Sequence, residues 1–87
     1  MKTFPLLISS PDGDLFRDAV VKISLRGVEG DLAVLAGHIP FITAVKTCDC
    51  TIELENGDVK VGHTDGGILT VSEESTTLLS GSFSWNN

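Results

Sequence analysis

The sequence predicts an all-β domain, either a sandwich or a flattened barrel of short strands, and three observations support this. Val, Thr and Ile, which favour extended backbone, make up 22 of the 87 residues, whereas Ala, the best helix former, occurs four times. Apolar and polar residues alternate in several short runs, and no run of ten or more residues has helical apolar spacing. Segments rich in Gly, Pro, Asn and Asp separate the runs and predict turns.

The alternating runs predict four strands that turn their apolar residues inward. In chain order the inward sets are Phe4, Leu6 and Ile8; Val21, Ile23 and Leu25; Cys50, Ile52 and Leu54; and Val59, Val61 and His63. Turns are expected at residues 10–13, 27–30, 37–40, 56–57 and 65–67. Asn56-Gly57 predicts a hairpin with a type I′ turn, because both residues tolerate positive φ.

The length of 87 residues predicts one domain spanning residues 1–87, with a core at about 3–80 and a tail at 81–87. We expect the tail to fray, while Phe83 and Trp85 still pack against the domain. A chain of this size buries roughly 63% of its surface on folding, which suffices for one modest core.

The charge balance excludes several classes of partner. Twelve acidic and six basic residues give a net charge of −6, which is the wrong sign for binding nucleic acid. No apolar run reaches the length of a signal-peptide core or a membrane span, so the sequence predicts a cytosolic or matrix-like protein without direct membrane insertion. Cys48 and Cys50 are too close for an unstrained bridge, which predicts reduced thiols.

Residues with possible chemistry do not form a recognisable catalytic or metal motif. Cys48, Cys50, His38 and His63 lack zinc-ligand spacing, and Cys50 is better interpreted as a core residue with Cys48 at a strand edge. The Asp12-Gly13-Asp14 segment lacks the remaining ligands of a calcium loop and predicts a solvated turn. His38 has no nucleophile or carboxylate at a triad distance. We therefore expect no catalytic residue, metal, cofactor or small-molecule substrate, and interpret the chain as a binding domain.

Three motifs together resemble the amino-terminal domain of the epsilon subunit of F-type ATP synthases. They are Gly27-x-Glu29-Gly30-Asp31, then Gly37-His38-x-Pro40-x-x-Thr43, and then Gly66-Gly67-Ile68-Leu69-x-Val71. The resemblance runs from about Phe4 to about Leu79. It implies a ten-stranded flattened β-sandwich at the foot of the central stalk, between the gamma subunit and the membrane c-ring. It also implies a mechanical rather than a catalytic role.

The resemblance assigns site residues by position. Glu29, Gly30 and Asp31 match the loop that faces the c-ring, where a tight turn would present two carboxylates to basic side chains. The positions matched to the gamma interface are Ser10, His38 and Thr43. The apolar stretch Ile39, Pro40, Phe41 and Ile42 extends that interface, since it exceeds what one strand face buries. The alternative is that these are solvated or locally hydrogen-bonded turn residues without a partner.

The resemblance is to a family in which most members continue into a helical hairpin, whereas this sequence ends at Asn87. We therefore carry over neither autoinhibition nor ATP binding. The expected function is coupling of gamma rotation to the c-ring during proton-gradient-driven ATP synthesis, at the cytoplasmic face of the bacterial inner membrane. The alternative function is a free-standing β-sandwich that binds a ligand or peptide, for example at a strand edge.

Overall fold

A computed structural model describes residues 2–86, which form β-strands and no helix. In chain order the strands are β1 (Phe4–Ser10), β2 (Gly13–Gly27), β3 (Gly30–Leu35), β4 (Phe41–Val45), β5 (Cys48–Leu54), β6 (Val59–Thr64), β7 (Gly67–Val71), β8 (Thr76–Ser80) and β9 (Phe83–Trp85). The all-β prediction is confirmed. The described residues hold nine strands where ten were expected, and one of the nine, β2, serves as two segments.

Strand β2 bends sharply, and this bend divides the sheet into two layers. Its 15 residues would span about 50 Å if straight, whereas the longest dimension of the molecule is 30 Å. The register shifts between Val20 and Lys22, where a bulge leaves Val21 without a partner on β5. The segment before the bulge pairs with β1, and the segment after it pairs with β3 and β5.

The two layers enclose one hydrophobic core. The strand order of the first layer is β4, β7, β8, β1 and the first half of β2. The strand order of the second layer is β3, the second half of β2, β5, β6 and β9. Only the β1–β8 pair is parallel among the described strands. Gly27 and Val45 join the layers through the β2–β4 pairing. Residues of both layers, including Leu6, Leu69 and Ile52, lie in one buried cluster. The architecture is a flattened sandwich.

Because of the bulge, β2 differs from its predicted orientation at one residue. Val20 is fully buried, whereas Val21, which the sequence pattern turned inward, is only half-buried. Ile23 and Leu25 lie inward as predicted. One extra residue in the strand reverses the alternation on its amino-terminal side, so a strict period of two cannot extend across the bulge.

Strand β6 has the opposite orientation to the one predicted. Gly62 and Thr64 are its buried residues, whereas Val59, Val61 and His63 lie on the outer face. The Phe83 ring of β9 packs directly against Gly62, where a Cβ would collide with it. Thr64 Oγ1 makes a buried 2.6 Å hydrogen bond with a serine hydroxyl of β8, which satisfies both polar groups inside the core.

The hairpin predicted at Asn56-Gly57 is confirmed, but its turn type differs. Gly57 has φ of 93°, whereas no residue other than glycine in the described chain has positive φ. The Gly57 N–H donates to the Leu54 carbonyl at 3.0 Å, and the Leu54 N–H donates to the Asp58 carbonyl at 2.8 Å. These bonds define a three-residue loop with a type I turn followed by a left-handed glycine, instead of a type I′ turn.

Residues 83–85 of the predicted tail pack against the domain, as expected for Phe83 and Trp85. This segment forms β9 and pairs with β6. The Trp85 ring meets the Phe16 ring edge-on at a centroid distance of 5.7 Å and the Phe83 ring at 5.0 Å. Lys60 Nζ lies 4.4 Å from the Trp85 centroid. These contacts hold the tail against β6 and against the first half of β2.

Close strand packing explains a glycine of the third sequence motif. A Cβ at Gly67 would overlap the Leu79 carbonyl of the adjacent strand. We expect Gly67→Ala to lower the free energy of unfolding by about 1–3 kcal/mol, because the backbone of β8 must move. Gly81→Ala is the control, since its Cβ would meet no atom within 4 Å. Urea denaturation measures both variants, and equal stability of the two would contradict the explanation.

Candidate partner-binding surfaces

The turn between β2 and β3 carries the three residues expected to face the c-ring. Gly30 has φ of 131°, a conformation that L-residues with a Cβ rarely adopt, and this makes the turn tight. Glu29 and Asp31 flank this glycine and are exposed. The Val28 N–H donates to the Ala44 carbonyl at 3.1 Å, which attaches the turn to β4. The turn thus presents both carboxylates to solvent from a fixed position.

The two carboxylates of this turn are not equivalent. Asp31 Oδ1 accepts a 2.7 Å hydrogen bond from Arg26 Nε, and this bond raises the pKa of Arg26. Glu29 makes no ion pair within residues 2–86. A cationic partner would therefore compete with Arg26 for Asp31 but would find Glu29 free.

The loop between β3 and β4 exposes an apolar residue beside a satisfied histidine. The Ile39 side chain is 79% exposed. His38 Nδ1 lies 2.9 Å from the Ile39 carbonyl oxygen, so the ring donates there, and the ring is 5.0 Å from the Phe41 ring. These contacts orient the imidazole locally. The apolar surface expected around this loop is present. The local hydrogen bond of His38, which the alternative interpretation predicted for a turn residue without a partner, is present as well.

Strand β4 divides the predicted gamma-contact residues between its two faces. Ile42 is 71% exposed and points outward with Ala44. Phe41 and Thr43 are half-buried and share the inner face with Val45. Thr43 Oγ1 donates to the Ala44 carbonyl at 3.2 Å. Ile42 is therefore available to a partner directly, whereas Thr43 is turned toward the interior.

The structure brings the predicted c-ring turn beside part of the predicted gamma stretch. Glu29 and Asp31 line a cleft of about 340 Å³ together with Ile42 and Thr43. Ser10 lies elsewhere, in the β1–β2 turn, where its hydroxyl accepts a 3.2 Å hydrogen bond from the Asp12 N–H. Of the solvated turn predicted at Asp12-Gly13-Asp14, Asp12 lies in this turn, whereas Gly13 and Asp14 begin β2, where Asp14 pairs with Arg17 at 2.9 Å.

Across β4, β7, β8 and β1, the outer side of the first layer is uncharged, and we call this surface the apolar sheet face. The exposed Arg17–Asp14 ion pair on the first half of β2 borders it. The members of the apolar sheet face are Leu7, Ser9, Ile42, Ala44, Ile68, Thr70, Thr77 and Leu79. Cross-strand pairing arranges them in two rows, and in one of these Ala44, Ile68, Leu79 and Ser9 follow each other on neighbouring strands. Ile68 is 43% exposed and Leu79 is 53% exposed. On β1 the row reaches Ser9, directly beside Ser10, so it links the two separated groups of predicted gamma contacts. Beyond Ser9 lies Asp14 of β2, whose carboxylate accepts a 3.1 Å hydrogen bond from the Ser9 hydroxyl.

The outer side of the second layer has a different character, and we call it the paired-charge face. Its cross-strand ion pairs are Arg26–Asp31 at 2.7 Å and Lys22–Glu53 at 3.6 Å, and a 2.9 Å hydrogen bond joins His63 Nδ1 to Asp49 Oδ1. The hydrogen bond to His63 lowers the pKa of Asp49. Charges on this face are therefore already matched within the chain, whereas no charged residue lies on the apolar sheet face.

Cys48 and Cys50 both lie on β5 but differ in their burial. Both are free thiols, and Cys50 is fully buried in the core as predicted. Residues 2–86 contain no group of three or more potential metal ligands. They also contain no helix long and apolar enough to cross a membrane. What the described residues offer instead is contact surface.

Comparison with known proteins identifies the family. Residues 3–86 match the domain family described as ATP synthase, Delta/Epsilon chain, beta-sandwich domain. The ATP synthase epsilon chains of Bacillus thuringiensis (strain Al Hakam) and Bacillus cereus (strain B4264) are each 37% identical over 94% of this chain. This chain belongs to the ATP synthase delta/epsilon chain family. It spans 61% of the length of those epsilon chains.

Solved structures show the same delta/epsilon fold. A chain of the Euglena gracilis mitochondrial ATP synthase, solved by cryo-EM as OSCP/F1/c-ring in rotational state 1, matches 95% of this chain with a TM-score of 0.89 and 22% identity. A chain of the Tetrahymena thermophila mitochondrial ATP synthase central stalk and c-ring matches 94% with a TM-score of 0.79 and 11% identity. This chain covers 53% and 66% of them, respectively.

The delta/epsilon-type sheet also exposes residues that sequence reasoning missed. Ile68 and Leu79 lie on the apolar sheet face, yet neither was among the predicted contacts. A signal was present, because Ile68-Leu69 and Leu78-Leu79 are pairs of consecutive apolar residues in strands. A strand with one buried face needs only one of each pair inside, so the second marks an outward apolar position.

The two thiols should differ strongly in reactivity. Burial, with a smaller contribution from the neighbouring Cys48, raises the pKa of Cys50 to about 12, whereas Cys48 is half-buried at the start of β5. Because the thiolate is the reactive species, we expect one thiol per folded chain to react with a disulfide reagent at pH 8 and two in denaturant. Cys48→Ser should remove the reaction of the folded chain. Fast reaction of both thiols without denaturant would contradict the burial of Cys50.

Proposed function

We propose that this chain is an epsilon-type subunit of the ATP synthase central stalk, which joins the gamma subunit to the c-ring. The observation that carries the proposal is the apolar sheet face, an uncharged exposed surface opposite the paired-charge face. Exposed apolar surfaces of this kind mark protein-binding sites. The names of the related epsilon chains and the stalk and c-ring structures that share the fold support it.

The proposal assigns a different partner to each surface. The gamma subunit covers the apolar sheet face and the adjoining loop from His38, so Ile42, Ile68 and Leu79 are its apolar contacts. The c-ring meets the β2–β3 turn, where Glu29 offers a free carboxylate to a basic loop. The chain thereby transmits rotation during proton-gradient-driven ATP synthesis as a non-catalytic, peripheral component at the cytoplasmic face of the bacterial inner membrane.

The alternative of a free-standing ligand- or peptide-binding sandwich has less support. A ligand site is a concave pocket with convergent polar groups. The cleft beside Ile42 and Thr43 and the larger cleft between the start of β4 and the β7–β8 turn are both open to solvent, and their carboxylates lie on exposed turns. An exposed apolar face with an adjacent acidic turn fits a protein interface better. We therefore retain the stalk subunit as the single proposed function.

Gamma binding tests the apolar sheet face. We expect Ile68→Asp to weaken binding of purified gamma subunit from the same source about 30-fold or more, because it places a charge in the centre of an apolar contact, where substitutions cost about 2 kcal/mol. Val59→Asp is the matched control, since Val59 is 55% exposed on the paired-charge face. Calorimetric titration measures both affinities. The assignment fails if the two variants bind gamma equally well.

The acidic turn makes a separate prediction for the c-ring. Glu29→Lys should lower the affinity of the chain for detergent-solubilised c-ring about fivefold, since it replaces an attraction by a repulsion at an exposed site. Asp31→Lys is a comparison within the same turn, and we expect it to have the smaller effect because Arg26 already occupies Asp31. The same order should hold for proton-driven ATP synthesis in vesicles. Equal c-ring binding by wild type and Glu29→Lys would refute this contact.

A further inference from the structure

The turn between β7 and β8 carries two adjacent carboxylates, Glu73 and Glu74, with no role in the function proposed above. Ser72 and Ser75 close this turn. The Ser72 N–H donates to the Ser75 carbonyl at 2.8 Å, and the Ser75 N–H donates to the Ser72 hydroxyl at 3.1 Å. Both glutamates are exposed, and neither makes an ion pair within residues 2–86. The turn is fixed while its charges remain free.

These carboxylates border an apolar cleft. The cleft has a volume of about 600 Å³ and lies between the β7–β8 turn and the start of β4. Pro40, Phe41, Ile42 and Val71 form its apolar wall. No Lys or Arg of the described chain lines it, so the negative charge of the border is not compensated there.

The cleft is continuous with the apolar sheet face. Ile42 and Thr70 line the cleft and are also members of that face, where they pair across β4 and β7. On its other side, Ile42 lines the smaller cleft that contains Glu29. Ile42 therefore lies between two acidic turns, and a partner that covers it meets an apolar surface with carboxylates on both sides.

We propose that this cleft is the acidic border of the surface that the gamma subunit covers. It receives an apolar side chain of gamma, and Glu73 and Glu74 meet a Lys or Arg beside that side chain. The inference rests on the proposed function and adds the chemistry that the partner must present. Complementary charges at the rim of an interface accelerate association and fix orientation, and salt screens them.

The test compares association rates of two doubly neutralised variants with gamma subunit from the same source. Glu73→Gln with Glu74→Gln should slow association on the order of fivefold at low ionic strength, and the difference should shrink toward none in about 1 M salt. Glu53→Gln with Glu55→Gln changes the net charge equally on the paired-charge face and the β5–β6 turn, and should leave the rate within about twofold of wild type.

Each outcome separates this inference from the function on which it rests. If wild type does not bind gamma, the proposed function fails and the inference fails with it. If wild type binds and both double variants associate at the same rate, only the inference is overturned. The inference is also overturned if the Glu73→Gln, Glu74→Gln variant binds isolated c-ring more slowly than wild type but binds gamma at an unchanged rate. Should the double variant lose its β-sheet circular dichroism, Glu74→Gln alone provides the same comparison with a smaller effect.

Discussion

The bend in strand β2 is the constraint on which the two-layer structure depends. Its first half completes one layer and its second half forms the middle of the other, so the core exists only because the strand turns near Val20. After the bend, the second half ends beside β4, where Gly27 pairs with Val45 and the Lys46 N–H donates to the Arg26 carbonyl at 3.0 Å. These bonds bring the β2–β3 turn next to the apolar sheet face. One bulge thus sets both the fold and the adjacency of the two proposed contact surfaces.

The contrast between the two outer faces has a physical consequence for docking. A partner that covered the paired-charge face would have to desolvate two ion pairs and the His63–Asp49 hydrogen bond, and the attraction within each ion pair recovers that cost only when the new geometry is excellent. Covering the apolar sheet face removes mainly Ile, Leu, Ala and Thr side chains from water, which is favourable. Desolvation is therefore unfavourable for the paired-charge face and favourable for the apolar sheet face. In the proposed interfaces, the free carboxylates at the margins would select the orientation of the partner.

Sequence reasoning predicted the strand class, the turns and the delta/epsilon resemblance, because alternation and turn residues are local signals. It failed where a face depended on a distant partner: His63 lies outward because Phe83, 20 residues further along the chain, packs on Gly62. The site was predicted in part. A motif predicted that Glu29 is exposed, and the apolar stretch 39–42 predicted the same of Ile42. The Arg26–Asp31 pair requires the β2–β3 register, which composition and spacing do not supply.

The geometry of the first layer favours one partner, rather than two, for the predicted gamma contacts on β1 and β4. Ser9 and Ala44 lie in the same cross-strand row, separated by β8 and β7, which is about 14 Å at the usual strand spacing. A standard interface of about 800 Å² per partner is roughly 30 Å across. A single surface seated on Ile68 and Leu79 therefore reaches Ser10 at one margin and Ile42 at the other. Thr43 contributes differently, since its inward side chain lies against the end of β2 and so supports the acidic turn from within.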